Sequence, residues 1–99
     1  MGEVRIVRRG RQGELDRVEE HGIDLSERTW APRGLDEPEP GPDGSRAGVY
    51  VLEGKLIAGP VERLTELSPG DYAPFPVDVP HVYETGRAAA RALILRYGA

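Results

Sequence analysis

Ninety-nine residues set the scale of one domain (1–99) with one modest core, and a chain this short buries roughly 60–65% of the surface it exposes when unfolded. Hydrophobic residues at 38% and charged ones at 30% exclude a disordered chain, and no apolar run approaches the ~20 residues of a membrane span. A net charge of −4 argues against direct nucleic-acid binding, and the absence of cysteine excludes disulfides and thiolate metal sites.

The N-terminus "MGEVRIVRRG" lacks an apolar stretch followed by a small-residue cleavage site, so a cytoplasmic protein is expected. Its "VRIVRR" opens with β-branched residues and reads as a strand. Arg5, Arg8, Arg9 and Arg11 form the basic cluster of the chain, read as a solvated strand or tail. Residues 14–22, "ELDRVEEHG", fit a short helix ended by Gly22 or a strand equally well. "IDLSERTWA" alternates, with Ile23, Leu25 and Glu27 on one parity. Residues 32–45 carry Pro32, Pro38, Pro40 and Pro42, which lack the donors a central strand needs, so an acidic loop is expected. Beyond it, "GVYVL" is a compact apolar run suited to a buried strand, while "VERLTEL" alternates. "ARALILRY" puts Ala92 and Ile94 on one face and Leu93, Leu95 and Tyr97 on the other. Turns are marked by Glu53-Gly54-Lys55, Gly59-Pro60 and Ser68-Pro69-Gly70-Asp71, the last with Pro and Gly where a type II turn wants them. Short strands at this spacing indicate an all-β sandwich or barrel.

Taken in order, "VYVLEGKL", "LSPGDYAPFPVDVPHVY" and "ARALILRY" resemble the second half of the cupin barrel. The likeness covers residues 41–97, leaving 1–40 for N-terminal strands and the acidic loop. It is nearest to the cupin domains of bacterial helix-turn-helix regulators, through Gly70, Asp71, Phe75, Asp78, Pro80, His81 and Tyr83. The resemblance implies a jelly-roll-like barrel of two antiparallel sheets. With too few residues ahead of the matched part for a DNA-binding domain, it reads as a stand-alone small cupin. The family's metal site takes histidines and a glutamate from its first motif and one histidine from its second. His81 matches the last of these. The first-motif histidine aligns at about Gly41 and the glutamate at Ala47, neither of which has a metal-binding side chain. The expectation is no metal and no cofactor, with recruitment of His21, Glu53 or an acid of the 36–43 loop to a metal site as the alternative.

His81 and Tyr83 lie two apart and share a side of their strand, which in a cupin faces the interior. Imidazole titrates near neutrality, so His81 suits acid/base work or ligand hydrogen bonding, with Tyr83 as its partner. Val49 and Val51 share the parity of the vacated ligand positions and are expected to line the cavity. Trp30 would wall its mouth, and Arg46 would hold an anionic group. With Ala47 in place of a glutamate, an enlarged cavity for a largely apolar ligand is expected. Two functions follow: a metal-independent sensor or carrier of a small organic molecule, or a metal-free isomerase or cyclase using His81 and Tyr83. A homodimer is expected, with residues 3–9 contributing to its contact.

Overall fold

A computed structural model of the chain describes residues 17–98. The expected dimer strand, 3–9, lies outside the described residues, as does the start of the 14–22 segment. What is described of that segment is strand β1 (Val18–Glu20), which pairs with β2 (Ile23–Trp30). His21 and Gly22 join them, both at positive φ (55° and 78°), as a type I′ hairpin turn requires. Gly22 therefore closes a hairpin here and caps no helix.

The remaining strands are β3 (Leu35–Asp36), β4 (Arg46–Glu53), β5 (Leu56–Pro60), β6 (Thr65–Leu67), β7 (Tyr72–Pro76), β8 (His81–Glu84) and β9 (Ala90–Tyr97). A 3-10 turn, Val61–Arg63, separates β5 from β6. The strands form two antiparallel sheets, β1-β2-β9-β4-β7 and β3-β8-β5-β6. The expected all-β barrel of two facing sheets is what the chain folds into. The Pro-rich loop contributes β3, two residues between Pro32 and Pro38 that pair with β8 at a sheet edge. An edge is where a strand so hemmed in by prolines can pair.

Period-2 alternation decides which side chains fill the space between the sheets. β4 turns Ala47, Val49 and Val51 inward, all fully buried. β9 turns in Ala90, Ala92 and Ile94; Phe75, Leu56, Ala58, Leu67 and Val77 complete the core with Trp30 and Tyr83. Turn chemistry fixes the ends. Gly70 takes φ 91° while the Asp71 N–H donates to the Ser68 carbonyl at 2.9 Å, closing the Pro-Gly turn. Gly54, at φ 72°, passes so close to the start of β9 that a Cβ there would collide with the Ala89 carbonyl oxygen.

On the outer face of the larger sheet the β4–β9 register breaks between Val51 and Glu53. Arg91 there donates to Glu27, whose side chain is fully buried, at 2.6 Å and to exposed Glu53 at 2.8 Å. Tyr50 lies on this outer face, exposed, beside Tyr72 on β7.

Candidate functional site

The cavity that carries chemistry, about 330 Å³, lies between the sheets and is walled by β2 and β9 on one side, β3 and β8 on the other. Its chemistry begins with the alternation of β2. Asp24, Ser26 and Arg28 occupy the inward parity that ends in buried Trp30, and each faces a β9 residue: Arg96, Ile94 and Ala92. Asp24, Ser26, Arg28, Ile94 and Arg96 line the cavity with His81 and Tyr83 from β8, Asp36 from β3, and Arg17 and Pro38.

His81 is buried, and its Nδ1 lies 2.8 Å from the Val79 carbonyl oxygen. A carbonyl only accepts, so Nδ1 carries the hydrogen and donates it. In the neutral ring Nε2 is then left as an acceptor and base. Tyr83 meets His81 edge-on, ring centroids 6.1 Å apart, and stacks on Trp30 at 5.5 Å. Burial pushes the Tyr83 phenol up to about 12, against the opposing pull of the Arg96 and Arg28 charges. It is therefore a neutral O–H donor throughout the physiological range.

The charged groups are unequally paired. Arg17 Nε holds Asp24 at 2.7 Å and its Nη2 holds Glu19 at 3.0 Å. Arg28 stands 3.8 Å from Asp36, which also accepts from Trp30 Nε1 at 3.4 Å. Among the described residues Arg96 makes no ion pair.

The structure brings His81 and Tyr83 together at the cavity, as the residues suggested. The other expected ligand-binding residues lie elsewhere. Val49 and Val51 are sealed in the core, and Trp30 packs behind Tyr83, positioning its ring and Asp36 without lining the space. Arg46 points outward from β4 on the parity opposite Ala47 and is exposed. In place of an apolar enlargement behind Ala47, the structure buries Ala47 fully in one core cluster with Val49, Val51, Phe75 and Val77. Polar groups of β2 and β9 line the cavity in its place. Sequence reasoning missed Asp24, Ser26, Arg28, Asp36 and Arg96. The signal was present in "IDLSERTW", where every second residue from Asp24 is polar until Trp30, and in Arg96 continuing the Ala90–Ala92–Ile94 row.

The family's usual metal does not fit these residues. Among the described residues no three His, Asp or Glu side chains converge to hold a metal ion. Ala47 is fully buried opposite Arg96, and a Cβ on Gly41 would stand 2.7 Å from Ser45 Oγ. A guanidinium occupies the neighbourhood where the resemblance puts ligands.

No family model matches the chain, and no curated protein matches its sequence. Solved structures do. The chain resembles the cupin_2 domain of an XRE-family transcriptional regulator from Enterobacter cloacae, at 25% identity over 77% of this chain and 81% of that one, TM-score 0.72. An RmlC-like cupin protein from Desulfovibrio desulfuricans covers 98% of this chain and 93% of its own at 15% identity, TM-score 0.68. The chain has the cupin fold. The polyketide cyclase RemF from Streptomyces resistomycificus is also similar, at 25% identity and TM-score 0.63, over 90% of this chain and 60% of that one.

Proposed function

We propose that this cupin binds a small organic molecule between its sheets, as a sensor or carrier. The observation that carries the reading is the pair His81 Nε2 and Tyr83 hydroxyl. One is an acceptor and the other a donor, they belong to neighbouring residues of one strand face, and both residues line the cavity. A cavity of about 330 Å³ is at the small end of ligand pockets, which favours a compact molecule. The likeness to a regulator's cupin domain supports sensing. The expected preference for a largely apolar ligand gives way to a polar one, since two aspartates and three arginines line the space.

A second reading, a metal-free isomerase or cyclase, is favoured by the same geometry and by the similarity to a polyketide cyclase. Nε2 would take a proton from the carbon beside a carbonyl. The Tyr83 O–H, held too weakly acidic to give up its proton, would stabilise the enolate oxygen by a hydrogen bond.

Replacing His81 with Ala separates the two. As a binder, the variant should lose roughly 1–3 kcal/mol of affinity for a compound that saturates the wild type. As an enzyme, it should lose ~10²–10⁴-fold in turnover on an enolisable substrate. A variant that folds and changes in neither respect would rule out this cavity as the functional site.

A further inference from the structure

We propose that the cavity selects a small organic carboxylate of single negative charge, seated on the Arg96 guanidinium and the Tyr83 hydroxyl. The proposal rests on the small-molecule-binding reading above and deepens it.

Charge supplies the first argument. Three arginines against two aspartates leave one positive charge in excess around the cavity. Pairing assigns the excess to one residue. Asp24 is the cross-strand neighbour of Arg96, yet its carboxylate is taken by Arg17 at 2.7 Å. Asp36 is held by Trp30 and faces Arg28. Arg96 is left with its forked donors uncommitted, and a carboxylate matches that fork better than any neutral group does.

Space supplies the second. Arg96 lies opposite Ala47, whose methyl offers the guanidinium no polar partner. On the flank, bare Gly41 leaves room for the guanidinium, since a Cβ there would sit 3.3 Å from Arg96 Nη2. Larger side chains at either position would crowd or neutralise the cation.

The third is the phenol. The Tyr83 hydroxyl makes no hydrogen bond among the described residues, and the phenol feels the Arg96 charge directly. A neutral O–H beside a guanidinium donates to the same anionic oxygen pair. Ile94 and Pro38 offer apolar contact for the body of the ligand. A dianion fits worse, because its second charge would face Asp24 and Asp36 without a free cation.

The test titrates the full chain with benzoate, benzamide and inorganic phosphate, following backbone amide resonances of Tyr83, Ile94 and Arg96 at low salt. Benzoate is expected to bind saturably, and benzamide and phosphate about tenfold more weakly or worse. Arg96→Gln, at an exposed position, should remove the preference for benzoate over benzamide while the rest of the spectrum stays that of the folded protein. Tyr83→Phe should weaken benzoate by several-fold. Equal binding of benzamide and benzoate at these residues would sink the carboxylate proposal and leave small-molecule binding standing. Tighter binding of phosphate, or a preference that survives Arg96→Gln, would also overturn it. If neither benzoate nor benzamide shifts any cavity resonance, the proposal and the binding reading fall together.

Discussion

The paired strands β2 and β9 build two different regions with one backbone geometry. Where Trp30 meets Ala90, their inward row is buried and apolar, continuous with Val49, Val51 and Leu56. Six residues along β2, the same row presents Asp24 opposite Arg96 at the cavity. Nothing in the hydrogen-bond ladder changes between them. The division is written in side chains alone: one end supplies the stability, and the other is free to carry charge that a core would not tolerate. Each region should therefore answer differently to substitution.

The largest effect is expected from the packed end. Leu56 is fully buried, and Leu56→Ala should cost about 2–5 kcal/mol, through lost apolar burial and the cavity left behind. Chemical denaturation measures this directly. A loss below about 1 kcal/mol would mean that the barrel collapses easily around its core and that the two regions differ less than their composition suggests.

Tyr83 spans the boundary, its ring packed on Trp30 and its residue exposed to the charges of the cavity. Its phenol is raised in the fold from 10 to about 12, so the unfolded chain loses the proton first. The stabilisation is complete below pH 10 and is lost as pH rises toward 12, by about 3 kcal/mol in all. Stability measured from pH 8 to 12 should fall over that window, and Tyr83→Phe should flatten the fall. Absorbance at alkaline pH should show one of the four tyrosines ionising last, and that late phase should vanish in Tyr83→Phe. A fall that is equally steep in the variant would place the alkaline sensitivity elsewhere.

What the sequence disclosed follows the same division. Apolar patterning made β4 and β9 legible, because a run such as Val49–Leu52 has one way to bury itself in a sheet. His81 and Tyr83 were legible because their spacing puts them on one side of a strand. The polar half of the cavity was not. In "IDLSERTW" the alternation sets Ile23, Leu25 and Glu27 on one parity and draws attention from the other, where Trp30 lies with Asp24, Ser26 and Arg28. Only the pairing with β9 shows that this polar parity faces inward. Arg46 and Arg96 illustrate the same limit. Both are exposed arginines near strand ends, and the motif singles out Arg46 as the anion site. Register settles the matter: Arg96 shares the inward row of Ile94, whereas Arg46 is one residue out of phase with Ala47.

The smallest effect is expected at Arg28, and it bears most directly on the division. Its side chain is 54% exposed, and its pairing with Asp36 is long at 3.8 Å. Exposed pairs of this kind contribute between nothing and about 1 kcal/mol, since holding two flexible side chains offsets most of a screened attraction. Arg28→Gln keeps most of the stem that packs along β2, so folding stability should change by less than about 0.5 kcal/mol. Raised salt should leave even that difference smaller. The Tyr83 phenol supplies a second readout, because Arg28 is one of the two cations that oppose its rise. Removing that charge should move the late tyrosine ionisation to still higher pH, with the fold otherwise unchanged. A substantial loss of stability without any movement of the phenol would show that Arg28 braces the β2–β3 contact. The charged row would then be part of the scaffold, and the separation between a region that folds and a region that binds would fail at its nearest residue.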